Sequence, residues 1–403
     1  MILYILVVEG FHGKLHQSCL RSAAGSGREC EENAEDICLR IAQADERNVD
    51  LLVFPELALT GYSCEDLFFQ QLLHTKVREG LKRILDCSAE HQCVTVVVGM
   101  PYVIDGQLYN CAAVINGGQL WGLIPKTYIP DYNGFGEKRW FASADDLCDE
   151  PIDASQLGLD GDYAVSLGTN AYFRINGGVK LGVEICEDLW TPIPPSAELA
   201  LGGAEIIVNL AASNEMVGKR TFRENMVKQQ SASCICAYAF CSAGETESTQ
   251  STVFSGHSLI AQNGKILAEN DNFIDTDYML ITDVDLGMIR ADRMRTTSFR
   301  DAVTKHGKQF DITCCECFDP PLRSDGSLYR LSSLPFVPDD REQREKRCME
   351  AFGIQVAGLK RRLSAINAKA VVGISGGLDS TLALLVTVEA MRQLGRPATD
   401  SDS

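Results

Sequence analysis

The sequence predicts a layered α/β protein with more than one domain, on three observations. Short apolar, β-branched runs alternate with stretches of helical periodicity, one late helical stripe is unusually clean, and a strand, a glycine turn and a helix follow one another beyond residue 370. A chain of 403 residues exceeds one average domain and provides for two or three. Hydrophobic residues at 45% and charged residues at 23% are ordinary globular proportions, which sets aside a disordered chain.

The elements follow in chain order. Met1 to Val8 (MILYILVV) is apolar but too short to span a bilayer, and no basic segment precedes it as a signal peptide requires, so no membrane association is expected. Ala34, Ile37, Cys38, Ile41 and Ala44 recur at helical spacing and predict an amphipathic helix over 31–47. The strand Leu51 to Phe54 follows. Further buried strands are expected at 94–99, 110–115, 119–124, 179–185, 206–210, 237–242, 254–261 and 279–284, with helical patterns near 67–90, 195–203 and 219–235. Asn116-Gly-Gly118 marks a hairpin turn. Pro320, Pro321, Pro335 and Pro338 lie among Ser, Asp and Gly and give residues 311–340 the chemistry of a linker. Beyond it, Met349, Phe352, Val356, Leu359, Leu363 and Ile366 alternate spacings of three and four, which predicts a helix leading into the strand Val371 to Ile374.

Bulk charge and thiol usage narrow the partners. A net charge of -18 argues against a polyanion-binding surface, so nucleic acid is not expected as a partner. Sixteen Cys in so long a chain do not form the dense framework of a small secreted domain, and a reducing, cytoplasmic location is expected. Cys314-Cys-Glu-Cys317 and the C-x-C of Cys234 and Cys236, read as lying in an apolar strand, lack a second ligand pair. The six His are scattered, and no metal site is predicted.

Three segments each end a predicted strand with a reactive side chain: Phe54-Pro-Glu56, Ile124-Pro-Lys126 and Glu184-Ile-Cys186. A thiol can attack an amide carbonyl, a carboxylate can take its proton, and an ammonium can hold the developing oxyanion. Together, in this order, they resemble the nitrilase (carbon–nitrogen hydrolase) superfamily. That resemblance implies a four-layer α-β-β-α sandwich with Glu56 as general base, Lys126 as oxyanion-stabilising cation and Cys186 as the nucleophile that forms a thioester. It further implies Glu137 as a second glutamate positioning Lys126, and the backbone N–H of Glu187 as an oxyanion donor. Ser213 and Lys219 would contact the amino-acid end of a substrate, in a pocket also lined by Tyr62 and Tyr132. No cofactor is expected for this hydrolysis.

The turn Ser375-Gly-Gly-Leu-Asp-Ser380 sits between a short apolar strand and the apolar helix Thr381 to Ala390, an arrangement that turns backbone N–H groups and a positive helix end toward phosphate. It resembles the pyrophosphate loop of ATP pyrophosphatases, which implies that Ser375, Gly376, Gly377, Asp379 and Ser380 hold ATP with Mg2+, at the start of an α/β adenine-nucleotide α-hydrolase-like domain. A nitrilase-type amidase followed by this loop resembles the glutamine-dependent NAD+ synthetase family. The resemblance implies glutamine, deamido-NAD and ATP as substrates, and a homo-oligomer. The expected organisation is an atypical segment over 1–28 that leaves the sheet without, or with a substitute for, an edge element; a glutaminase domain over 29–310; the linker; and an incomplete synthetase domain over 341–403. One strand and one helix cannot bury a core, so residues 371–403 are expected to be poorly anchored unless they dock on the amidase. The chain is accordingly expected to retain the glutaminase half alone. The competing expectations are a stand-alone amidase for another small amide and an inactive fragment.

Overall fold

The computed structural model describes residues 2–9, 28–148, 150–244, 247, 252–271, 278–307, 310–314, 337, 341–396 and 401–402. Residues 315–317 of the Cys-x-x-Cys and most of the expected linker lie outside them. The chain divides into two compact units, Met1–Tyr329 and Arg330–Ser403.

In the first unit the order is β1 (Ile2–Glu9), α1 (Arg28–Glu46), β2 (Leu51–Val53), α2 (Gln71–Glu90), β3 (Thr95–Ile104), β4 (Gln107–Asn116) and β5 (Gln119–Pro125). It continues through β6 (Ile152–Asp153), β7 (Ala164–Leu167), β8 (Ala171–Ile175), β9 (Val179–Ile185), α3 (Pro195–Leu201), β10 (Ile206–Ala211) and α4 (Lys219–Ser233). Last come β11 (Ala237–Ser242), β12 (Leu259–Gln262), β13 (Lys265–Glu269), β14 (Tyr278–Asp285), α5 (Leu286–Arg295), α6 (Thr297–His306) and β15 (Asp311–Cys314). The strands form an eight-stranded sheet, β14-β1-β2-β3-β4-β5-β7-β6, and a seven-stranded sheet, β13-β12-β11-β10-β9-β8-β15.

Strand alternation builds the layers, because successive side chains point to opposite faces. On β2, β3 and β4 the residues Leu51, Val53, Val97, Ala112 and Val114 face the second sheet and meet Leu181, Ile185 and Val208 there. Their neighbours Leu52, Val96, Val98, Ala113 and Ile115 face outward against Ile37 and Ile41 of α1 and Leu81 and Ile84 of α2. Helices α3 and α4 cover the far face of the second sheet, on β9 and on β11 and β12. The result is the α-β-β-α sandwich.

Several sequence expectations change. The first strand is present: β1 runs parallel to β2 and antiparallel to β14, inside the eight-stranded sheet and not missing from it. The strand pairs along its length with β14 and over Ile5–Val7 with β2, which satisfies its backbone groups on both sides. The amidase sheet also extends past residue 310, since β15 pairs in parallel with β8 and Phe310 packs against Gly202 and Tyr172. The expected strand over 254–261 begins only at Leu259, with Phe254 held in an isolated bridge to Asn214. Cys234 caps α4 and Cys236 follows Ile235 at a φ of 45°, so the C-x-C lies in a helix-to-strand turn.

In the second unit α7 (Arg341–Ile366), β16 (Ala370–Val371), α8 (Leu378–Gln393) and β17 (Ser401–Asp402) follow in order. Helix α7 supplies the face that a lone strand and helix lack. Val356 packs with Val386 and Ala390, and Leu363 with Ala370 and Met391. Burial of the α7 stripe is confined to its middle, and Met349 and Ile366 at its ends are exposed. The strand expected over 371–374 is the two-residue β16, paired in parallel with β17.

Candidate active site

Three strand ends in the first unit deliver the three reactive side chains. Glu56 follows β2, where Leu57 takes a φ of 54° and the loop lies directly on β3. Gly99 makes that approach possible: a Cβ there would come within 2.3 Å of the Leu57 nitrogen and 2.4 Å of the Pro55 carbonyl oxygen. Lys126 follows β5, and its N–H donates to the Asn110 carbonyl at 2.8 Å, extending the β4–β5 ladder by one residue. Cys186 follows β9 at a φ of 42° and opens a 3-10 helix, Cys186–Trp190. A non-glycine residue in this region stores strain that its surroundings must hold.

Lys126 is the hub. Its Nζ lies 2.6 Å from Glu56 Oε1 and 2.9 and 2.8 Å from the two oxygens of Glu137, and all three side chains are buried. Burial alone would lower the Lys126 pKa, but Glu137 and Glu56 outweigh it and hold the ammonium well above its usual value. Burial pushes the Glu137 carboxyl up to about 7, against the pull of Lys126. Tyr62 donates its hydroxyl to Glu137 at 2.8 Å, and burial together with Glu137 raises the phenol well above its usual range. Glu56 accepts from Asn110 Nδ2 and from the Ala212 N–H, both at 2.7 Å.

The Cys186 thiol is buried within the fields of Glu56, Lys126 and Glu137, and the Ala212 N–H also points to it. Burial, then Glu56, raises its pKa well above the ordinary thiol value; Lys126 opposes them and does not prevail. The balance favours the protonated thiol over the thiolate. Glu56 is the carboxylate whose field the sulfur feels most.

The other expected site residues gather around this centre. Tyr132 donates its hydroxyl to Glu187, at an open groove of about 630 Å³ lined also by Tyr128, Phe141 and Ser143. Lys219 bonds Asn214 and lies 5.8 Å from the Phe135 ring and 5.5 Å from that of Trp190, where burial lowers its pKa. Ser213 is buried one residue past the Ala212 N–H.

Sequence reasoning passed over the residues that hold these in place. Asn209 Oδ1 accepts from the Cys186 N–H at 3.0 Å. Arg223, fully buried, donates to Glu215 at 2.8 Å and to His257 Nδ1 at 2.9 Å. Asn110 and Asn209 left a signal, a polar amide inside an otherwise apolar predicted strand; Arg223 left none. Glu224, His257 and Glu269 bring three ligand-type atoms within 4.8 Å of one another. Because Arg223 donates to His257 Nδ1, the ring proton sits on Nε2, the nitrogen that faces Glu269 at 3.8 Å, and no lone pair is offered to a cation. Burial, with Arg223 and Arg220, lowers His257 to about 3 and keeps it neutral.

The Ser375–Ser380 loop lies in the second unit. Gly376 has a φ of 82° and open space where a Cβ would stand, and Gly377 caps the N-terminus of α8. Ser380 donates to the Gly377 carbonyl at 3.0 Å, and its oxygen lies 3.3 Å from that of Ser375.

Fold and site define a nitrilase-type hydrolase sandwich. The carbon-nitrogen hydrolase family profile matches residues 23–294, and the chain belongs to that family. It is similar to a glutamine-dependent NAD(+) synthetase of Mycobacterium leprae, 37% identical over 373 residues that make up 91% of this chain and 54% of that protein. The chain thus spans about half the length of the curated relatives it matches. Among solved structures, a glutamine-dependent NAD+ synthetase from Acinetobacter baumannii in complex with ADP aligns with a TM-score of 0.55 and 20% identity, covering 100% of this chain and 59% of that one. A carbon-nitrogen hydrolase from Helicobacter pylori G27 aligns with a TM-score of 0.56 and 22% identity, covering 75% of this chain and 95% of that one. No helix among the described residues is long and apolar enough to cross a membrane.

Proposed function

We propose that the first unit hydrolyses glutamine to glutamate and ammonia, as the glutaminase part of a glutamine-dependent NAD+ synthetase. The buried Lys126, paired at 2.6 Å with Glu56 and at 2.8 Å with Glu137 in a site that also buries Cys186, is the observation that carries this reading. The similarity to the Mycobacterium leprae enzyme supports the choice of glutamine among amides.

The chemistry follows from the charges. Glu56 takes the thiol proton as Cys186 sulfur bonds to the amide carbon, and the carbonyl π electrons move onto oxygen. Lys126 and the Glu187 N–H hold that oxyanion. Collapse breaks the C–N bond, Glu56 returns the proton to the leaving nitrogen, and ammonia departs from a γ-glutamyl thioester on Cys186. Glu56 then takes a proton from water, whose oxygen attacks the thioester, and the proton passes to the Cys186 sulfur as glutamate leaves. Glu137 keeps Lys126 charged and aimed throughout, and Tyr62 keeps Glu137 in place. Lys219 and Ser213 bind the amino-acid carboxylate, and Tyr132 and Glu187 line the approach.

For the ATP-dependent amidation of deamido-NAD, the Ser375–Ser380 loop fits a pyrophosphate. Gly376 leaves open space, and Gly377 begins a 16-residue helix whose N-terminus favours an anion. Ser375, Gly376, Gly377 and Ser380 would hold the phosphates of ATP and Asp379 its Mg2+; ATP bound there would supply AMP to the deamido-NAD carboxylate, with pyrophosphate leaving, for ammonia to displace. We assign the protein to the cytoplasm, as a homo-oligomer acting on small molecules.

The test is ammonia release from glutamine by the purified chain beside Cys186→Ala. Release by the parent and none by the variant is expected; equal release by both would remove Cys186 as nucleophile. Release from other small amides with glutamine refused would favour a stand-alone amidase.

A further inference from the structure

We propose that Asp188 is a positioning residue that ties the Lys126 loop to the Cys186 turn and thereby sets the ammonium against the thiol. The proposal rests on the roles given above to Lys126 and Cys186.

Asp188 is buried two residues past the nucleophile, and both carboxylate oxygens are occupied by backbone donors from two different strand ends. Oδ1 accepts from the N–H of Tyr128 at 2.9 Å and of Thr127 at 3.2 Å, the two residues after Lys126. Oδ2 accepts from the N–H of Ile185 at 2.9 Å, the residue before Cys186. One side chain thus bridges the end of β5, in the eight-stranded sheet, to the end of β9, in the seven-stranded sheet. These are edges of the cleft between two sheets whose facing cores are apolar, and which the Ala212 N–H to Glu56 hydrogen bond also crosses. Burial, then Glu184, pushes the Asp188 carboxyl up to about 8 against the pull of these N–H groups, so the tie rests on three directional hydrogen bonds and not on a fixed charge, and it can hold a relative position that packing leaves soft.

Cys186 needs such a fixture. Its φ of 42° is unfavourable for a non-glycine residue, and the flanking N–H groups are held by side chains, Ile185 by Asp188 and Cys186 itself by Asn209 Oδ1 at 3.0 Å. Asn209 anchors the turn within its own sheet, on β10. Asp188 is the anchor that also reaches Lys126. It touches neither glutamine nor the reacting atoms, so its effect should fall on turnover and not on glutamine affinity.

The experiment uses the full chain and the isosteric Asp188→Asn, which keeps one acceptor oxygen and replaces the other with a donor amide that opposes the backbone N–H groups. Turnover of glutamine should fall ~10–100-fold, the scale on which misplacement of a reacting group is felt, with KM within about threefold. The discriminating readout is alkylation of Cys186 by iodoacetamide, which requires no glutamine. Lys126→Ala slows it by removing the cation that favours the thiolate, Asp188→Asn slows it in part, and the double variant should be no slower than Lys126→Ala alone. Additive losses in the double variant, or parental alkylation and turnover in Asp188→Asn, would overturn the tie. Circular dichroism checks that each variant is folded; if Asp188→Asn is not, Asp188→Ser, smaller and still an acceptor, carries the same cycle. A parent that alkylates normally but leaves glutamine untouched would defeat the glutaminase reading while leaving this cycle interpretable.

Discussion

Lys126 concentrates the energetics of the site in one side chain. Two buried carboxylates depend on its charge, so Lys126→Met leaves both without a cation and should cost about 3–5 kcal/mol of stability together with all hydrolysis. Urea denaturation read by circular dichroism measures the first and ammonia release the second. The protonation of Glu137 sets the expected pH dependence. With its carboxyl raised to about 7, Glu137 is neutral below that pH and holds Lys126 less firmly; above it, the ionised form pairs with the ammonium. For glutamine, kcat/KM should therefore rise with pH through about 7. A rising limb in the ordinary carboxylate range would show that Glu137 ionises unperturbed.

The convergence of Glu56, Lys126 and Cys186 was legible in the sequence because each ends an apolar run, and neighbouring strand ends bring their side chains together. Asn110 and Asn209 were half legible, as amides that an apolar strand has no reason to contain unless something polar faces them. Asp188, Arg223 and Glu247 were not. Glu247 accepts from the Tyr62 N–H at 2.8 Å and the Ser63 N–H at 3.0 Å across 185 and 184 residues of chain, and no local spacing encodes such a partner.

At the scale of elements, the approach of the β2 loop to β3 is the contact on which Glu56 depends. A methyl group at Gly99 would meet backbone atoms at 2.3 and 2.4 Å, which no side-chain rearrangement relieves. Gly99→Ala should destabilise the first unit by about 1–3 kcal/mol, the usual cost of overpacking, and lower kcat for glutamine by displacing Glu56. Loss of stability with kcat unchanged would separate the loop from catalysis. Helices α1 and α2 were legible because one face of each is apolar at 3.6-residue spacing, whereas the buried face of α4 sets Arg223 and Ser231 on either side of Val227. The short strands β6, β7, β8 and β15 were not: two to five residues carry too little alternation, and only the sheet they join marks them as strands. β1 was visible as an apolar run, but its pairing with β14, more than 260 residues away, is a tertiary fact.

Across the whole molecule, two cores of unequal size imply unequal stabilities. The first unit buries two extended clusters, one between its sheets and one beneath α1 and α2. The second rests on two small clusters where α7 meets α8. Calorimetry should resolve two transitions, the lower belonging to the second unit. Leu363→Ala, truncating a buried leucine there, should lower that transition by about 2–5 kcal/mol of stability and leave the upper one in place. Equal shifts in both transitions would mean that the units unfold together.

The central claim is a thioester on Cys186. Its most direct measurement is peptide mass spectrometry of the chain mixed with glutamine and quenched in acid within one turnover. A γ-glutamyl adduct on the peptide containing Cys186, decaying as glutamate appears and absent from Cys186→Ala, is the predicted result. Ammonia released in step with glutamate while every cysteine stays unmodified, or an adduct on a different cysteine, would contradict it.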